Sequence, residues 1–70
     1  MTTLTVAYRS LTSEPDPSRL RDQLSHDLDA PVHLLVLGGQ ARFTVSATPQ
    51  RVREAAAFFL DPIGRAWEVE

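Results

Sequence analysis

The sequence contains no cysteine and no lysine, and the absence of cysteine limits its chemistry. Without cysteine there is no disulfide framework, no thiolate nucleophile and no cysteine-ligated zinc or iron–sulfur site, which favours a reducing cytoplasm. All seven basic residues are arginine, a composition that we associate with a GC-rich bacterial genome. The net charge is only −2 and the two signs are evenly spread, so we expect no surface that binds a polyanion.

Long apolar runs are also missing. No stretch approaches the roughly 18 apolar residues of a membrane span, and residues 1–10 lack the basic-then-apolar order of a signal peptide. We therefore expect a soluble, cytoplasmic protein. Its 70 residues make a single small domain, 1–70. A chain of this size buries only about 60% of the surface that its unfolded form exposes, so a partner subunit would add useful stability.

Two apolar runs that meet at Gly38-Gly39 predict a β-hairpin over residues 31–47. Apolar side chains recur at every second position on both sides of the glycines, which is the period of a β-strand. Two glycines supply the positive φ angles of a tight turn, so the simplest pairing sets Leu37 opposite Gln40. A slip of one residue would turn half of the apolar set to the other face. The predicted register gathers six apolar residues on one face: Val32, Leu34, Val36, Ala41, Phe43 and Val45.

The rest of the chain predicts two further strands and two helices. Residues 3–9 alternate apolar and polar side chains, as a half-buried strand does. Asp16-Pro17 and Thr48-Pro49 each combine an N-cap residue with proline at the first helical position. The first helix carries a stripe of Leu20, Leu24 and Leu28 and ends before Pro31. The second carries Val52, Ala55, Ala56, Phe59 and Leu60, leaves Phe58 at the rim or exposed, and ends over residues 61–64. A short last strand holds Trp67 and Val69 on one face.

The element order β-α-β-β-α-β predicts an α+β fold. This order is the split βαβ arrangement of ferredoxin-like domains, a two-layer sandwich whose four-stranded antiparallel sheet carries two helices on one face. Right-handed crossovers give the strand order 4-1-3-2. The predicted core of the sheet comprises Leu4, Val6, Tyr8, Val32, Leu34, Val36, Phe43, Val45, Trp67 and Val69.

In this order the first strand of the hairpin is a sheet edge that is apolar on both faces. Natural edges are usually guarded by charge, proline or a bulge, and this one has only Pro31 at its start. We therefore interpret the edge, or the open sheet face beside it, as the interface of a homodimer or of a complex with another protein. The expected interface residues are His33, Leu35, Leu37, Arg42 and Thr44, with Thr5 and Ala7 on the same face.

Other functions have weaker support in the sequence. An RNA-binding sheet needs aromatic rings on the outward positions of its central strands, and these positions hold Thr5, Ala7, Arg42 and Thr44. A copper-chaperone site needs cysteines where the first loop has Ser10, Thr12 and Ser13. His26 and His33 do not have metal-ligand spacing, and no nucleophile has an evident base. We thus expect a non-enzymatic protein-association domain without cofactor or metal. The alternative is a regulatory domain that holds a small metabolite at a dimer interface near the hairpin.

Overall fold

The computed structural model describes residues 1–8 and 16–70. The described elements are β1 (Thr2–Ala7), α1 (Pro17–Leu28), β2 (Val32–Leu37), β3 (Gln40–Val45), α2 (Pro49–Leu60), a 3-10 turn (Asp61–Ile63) and β4 (Trp67–Val69). The four strands form one antiparallel sheet in the order β2-β3-β1-β4, which is the predicted order read from its other edge. The fold is α+β, with the two helices packed on the sheet.

Both helices begin at the predicted capping residues. The Asp16 carboxylate accepts a hydrogen bond from the Ser18 N–H at 2.8 Å, and the Thr48 hydroxyl accepts one from the Arg51 N–H at 3.3 Å. A proline follows each cap, where its missing N–H costs nothing. Helix α1 ends at Asp29, whose φ of 52° lies in the left-handed region. The two helix starts predicted from sequence are therefore confirmed.

The hairpin has the predicted register. Leu37 lies opposite Gln40, and Leu34 lies opposite Phe43. Gly38 and Gly39 have φ angles of 50° and 79°, which side chains with a Cβ rarely adopt and which suit a two-residue turn. The turn and the apolar alternation thus select the same pairing.

A single core lies between the sheet and the helices. Strand β1 contributes Leu4 and Val6, and β3 contributes Phe43, all of them almost fully buried. Leu34, Trp67 and Val69 are only partly buried and pack against its margin. Among the described residues, this hydrophobic core is formed by Leu4, Val6, Tyr8, Leu20, Leu24, Leu28, Val32, Ala41, Phe43, Val45, Val52, Ala55, Ala56 and Leu60.

Strand β1 differs from the prediction at both ends. It begins at Thr2, because Thr2 pairs with Val45 and its hydroxyl donates a hydrogen bond to the Ala47 carbonyl at 2.6 Å. It ends at Ala7, although the Tyr8 N–H still donates to the Gly39 carbonyl at 2.8 Å. Arg9, which was predicted to end the strand, lies outside the described residues, as does the predicted loop over residues 10–15.

The prediction that Val36 belongs to the core is wrong, since its side chain is 38% exposed. Burial falls along the inner face of β2, from buried Val32 through half-buried Leu34 to exposed Val36. Val36 is close to the turn of an edge strand, and its only neighbour across the sheet is the small Ala41. The alternating pattern places Val36 on the inner face correctly, but the side chain stays partly open to solvent there.

Tyr8 carries a polar group into the core. Its side chain is 5% exposed, and among the described residues its hydroxyl has no hydrogen-bond partner. The Arg65 guanidinium carbon lies 4.5 Å from the centre of the ring, a cation–π contact. Burial raises the pKa of the Tyr8 phenol; nearby Arg65 opposes this rise and Asp16 adds to it. Tyr8 therefore combines a favourable ring contact with an unsatisfied hydroxyl.

Candidate interface on the edge strand

Strand β2 forms one edge of the sheet and exposes three consecutive large apolar side chains. Leu35 is 54% exposed, Val36 38% and Leu37 50%. Leu35 and Leu37 face away from the helices, whereas Val36 lies on the opposite face of the strand. The strand thus exposes apolar surface on both faces near its end, and residues 32–37 include no acidic or basic residue except His33.

The turn geometry shows which backbone groups of β2 point away from β3. The pair that closes a two-residue hairpin turn is hydrogen-bonded, and bonded and non-bonded pairs then alternate along the strands. Leu37 closes this turn, so His33, Leu35 and Leu37 direct their N–H and C=O groups to β3. Val32, Leu34 and Val36 direct theirs away from the sheet.

The hydrogen bonds of β1, the strand on the other side of β3, show the same alternation. The Ala7 N–H donates to the Ala66 carbonyl at 3.1 Å on the β4 side, and the next N–H, that of Tyr8, donates to Gly39 on the β3 side. Neighbouring residues of β1 thus alternate between the two adjoining strands. The edge of β2 consequently offers a row of donors and acceptors, spaced two residues apart, that have no strand partner among residues 1–8 and 16–70.

The open face of the sheet, which the helices do not cover, changes character from strand to strand. One row across it runs from Leu35 on β2 to Arg42 on β3, then to Thr5 on β1 and Glu68 on β4. In the part of the chain that the structure describes, the side chains of Arg42 and Glu68 form no hydrogen bond or ion pair. The face is apolar only along β2 and carries unlike charges on β3 and β4.

All five predicted interface residues lie on this open face. His33, Leu35, Leu37 and Arg42 are exposed, and Thr44 is half-buried opposite His33. Sequence reasoning missed Val36, which adds exposed apolar surface at the same edge from the helix side. The alternation assigns Val36 to the inner face, so the sequence carries no signal of its exposure, which only the packing of the domain reveals.

The opposite edge of the sheet is built differently. Strand β4 has only three residues, Trp67–Val69, and Glu68 points outward from it. Glu70 follows directly and exchanges two backbone hydrogen bonds with Thr3, at 2.9 and 3.2 Å. A short edge with repeated negative charge discourages pairing with a second copy, because like charges would meet. Of the two edges, β2 is the one without such protection.

A shallow depression of about 240 Å³ lies on the open face at the hairpin-turn end of the strands, on the side towards β4. It is lined by Ala7, Ala66 and Trp67 and by the polar residues Thr5, Gln40 and Glu68. It is separated from β2 by strand β3. A ligand in this depression would not lie between two β2 edges.

The strand aromatics occupy the inner face of the sheet. Tyr8 and Phe43 are buried, and Trp67 is half-buried with its indole N–H donating to the Asp61 carboxylate at 2.9 Å. The outward positions of the central strands therefore present no ring on which a base could stack. This arrangement gives no support to a nucleic-acid interface on the sheet.

The groups considered for metal binding and catalysis are dispersed. His26 is exposed on α1 and His33 is exposed on the sheet, so the two histidines lie on different layers. Within residues 1–8 and 16–70, no three His, Asp or Glu side chains come together in a way that could hold a metal ion. Ser10, Thr12 and Ser13 lie outside the described residues.

Comparisons with known proteins give no information about the function of this interface. Neither described helix is both long and apolar enough to cross a lipid bilayer. The chain matches no protein-family model, no curated protein and no solved structure.

Proposed function

We propose that this chain is a small, non-enzymatic, cytoplasmic domain that works by protein association, and that it associates with itself through the β2 side of its sheet. The observation that carries the proposal is the exposure of Leu35, Val36 and Leu37 on an unprotected edge strand. We further propose that its α+β sandwich, comprising residues 1–70, is of the ferredoxin-like type, which the strand order and the two helices support.

Association is favoured because backbone groups that point away from the sheet and exposed apolar side chains occur together on β2. Free N–H and C=O groups at a strand edge pair readily with another extended strand, and water is the only alternative partner. The exposed leucines on one face and Val36 on the other would leave water in the same step. A domain of 70 residues has a thin stability margin, so self-association would also stabilise its fold.

A second candidate function is the binding of a small metabolite in the depression on the open face. The supporting observation is the cluster of polar groups there, where Thr5, Gln40 and Glu68 line the depression. The depression is open and shallow, whereas small-molecule sites usually enclose most of their ligand. The edge strand therefore supports the leading proposal better than the depression supports this one.

Analytical ultracentrifugation of three proteins tests the proposal. The wild type is expected to sediment as a dimer at high concentration, and the double variant Leu35→Glu, Leu37→Glu as a monomer, because four carboxylates would meet at its interface. Phe58→Glu is the matched control, since Phe58 is 74% exposed on α2, away from the sheet. This control is expected to dimerise like the wild type.

The substituted leucines are about half exposed, so the double variant should remain folded, and circular dichroism checks this. A wild type that is still monomeric at about 1 mM would rule out association stronger than about −4 kcal/mol. That result would contradict the proposal. If Phe58→Glu were monomeric while the leucine double variant still dimerised, the interface would lie on the helix layer and not on β2.

A further inference from the structure

Resting on the proposed self-association, we infer that two copies pair edge to edge through antiparallel β2 strands, with Leu35 of each copy facing the other at a two-fold axis. The two four-stranded sheets would then form one continuous sheet with all four helices on the same side. The occupant of the edge is a second copy of this chain. The inference follows from the outward-pointing backbone groups, the side-chain alternation and the charges of the sheet.

The outward-pointing backbone groups restrict how two β2 strands can pair. Only Val32, Leu34 and Val36 direct N–H and C=O groups outward, so these residues must face one another across the new junction. They also lie on the helix side of the strand. Both copies therefore turn their helices to the same side, and the two-fold axis stands perpendicular to the sheet.

One register places the whole exposed segment inside the junction. With Leu35 on the axis, each Leu34 hydrogen-bonds with Val36 of the second copy, and Leu37 lies opposite His33. Moving the axis to Leu34 leaves Leu37 outside the paired strands. Moving it to Val36 shortens the pairing to the last three residues of the strand. The axes at Leu34 and Leu35 each pair five residues of the strand, but only the axis at Leu35 includes all three exposed apolar side chains.

The charges of the sheet favour the edge over the open face as the contact. Stacking two open faces about an axis across the strands would set Arg42 over Arg42 and Glu68 over Glu68. An axis along the middle of the sheet would instead set the exposed leucines of β2 over Glu68 of β4. Edge pairing brings together two strands without acidic or basic side chains apart from His33, so no like charges meet along the paired strands.

Single cysteines test this register cleanly because the natural chain has none. A residue on the axis faces its own copy in a pair that is not hydrogen-bonded, where the Cβ atoms are close enough for a disulfide. Leu35→Cys is therefore expected to convert most of the protein to a covalent dimer under mild oxidation. At matched concentration, Leu34→Cys and Val36→Cys alone are expected to give at least tenfold less. Arg42→Cys probes the open face and is expected to give equally little.

A mixture of the Leu34→Cys and Val36→Cys proteins supplies an independent readout, since the inferred register sets these two positions opposite each other. The mixture is expected to cross-link several-fold more than either protein alone. Strongest cross-linking of Leu34→Cys or Val36→Cys by itself would overturn the register, and strongest cross-linking of Arg42→Cys would overturn edge pairing. A dimeric wild type without cross-linking at Leu35 overturns the inference and leaves the proposed function standing. A monomeric wild type overturns both, and would leave the edge open to an extended peptide of another protein.

Discussion

Replacing Tyr8 by phenylalanine is expected to stabilise the domain. The Tyr8 hydroxyl is buried and has no hydrogen-bond partner among the described residues. A buried hydroxyl without a partner costs about 1–3 kcal/mol relative to water. Phenylalanine removes this cost and keeps the ring that Arg65 contacts at 4.5 Å. We therefore expect Tyr8→Phe to raise the free energy of unfolding by about 1 kcal/mol, the lower end of that range.

The change is large enough to measure in a domain of this size. A gain of about 1 kcal/mol raises the melting temperature by roughly 4–8 °C for a domain of 60–100 residues. Urea denaturation and thermal melts should agree in direction. Tyr8→Leu is the matched control: it also removes the hydroxyl but loses the ring, so it should be less stable than Tyr8→Phe. A loss of 1 kcal/mol or more in Tyr8→Phe, on the scale of a normal hydrogen bond, would refute the reasoning.

The pH dependence of stability gives the same residue a second test. Burial raises the pKa of the Tyr8 phenol in the folded state above its ordinary value of 10.0, so the native protein holds this proton more tightly than the unfolded chain. The resulting stabilisation is fully present below the unfolded pKa and is lost as the pH rises through the native pKa. The wild type should therefore lose stability above about pH 10. In Tyr8→Phe this part of the alkaline loss of stability should disappear. If the free energy of unfolding of Tyr8→Phe fell with pH as steeply as that of the wild type, the result would contradict this prediction.

Three further predictions concern local structure and the second candidate function. Thr48→Ala removes the side chain that caps α2 at 3.3 Å and should cost about 1 kcal/mol in urea unfolding, whereas Thr48→Ser should cost much less. Gly39→Ala should cost about 1–2 kcal/mol, because its φ of 79° strains a residue with a Cβ; no loss would mean that the turn adopts another conformation. A thermal-shift screen of amino acids and nucleotides should find no stabilising compound, and one that raises the melting temperature by several degrees would favour the metabolite-binding alternative.

The hairpin and the helix starts could be predicted because several local rules agreed there. The two glycines fix the turn, and the alternation on both sides selects the same register. Asp16 and Thr48 predict the starts of their helices. In each case a side-chain oxygen accepts a hydrogen bond from a backbone N–H of the first turn, and the next residue is a proline, which suits the first helical position. The face shared by the five interface residues followed directly from this register.

The depth of burial could not be predicted in the same way. Alternation assigns Val36 to the inner face, but its exposure depends on how far the neighbouring layer extends over the edge strand. The alternating pattern also does not predict that the Tyr8 hydroxyl lacks a hydrogen-bond partner among the described residues. Alternation indicates that a side chain points inward, but it does not indicate which groups surround that side chain. The depression at Ala7 and Ala66 arises from two small side chains that are far apart in the sequence and adjacent in the sheet.

Amide hydrogen exchange along β2 tests the central claim most directly, because it reports on the edge itself. The N–H groups of Val32, Leu34 and Val36 face away from the sheet and should exchange quickly in the monomer. At high protein concentration the N–H groups of Leu34 and Val36, which the inferred register pairs, should become protected, while in the Leu35→Glu, Leu37→Glu variant they should stay fast. The N–H groups of Leu35 and Leu37, already bonded to β3, provide the internal reference. Exchange of the Leu34 and Val36 amides that remains fast at every concentration would contradict self-association through β2.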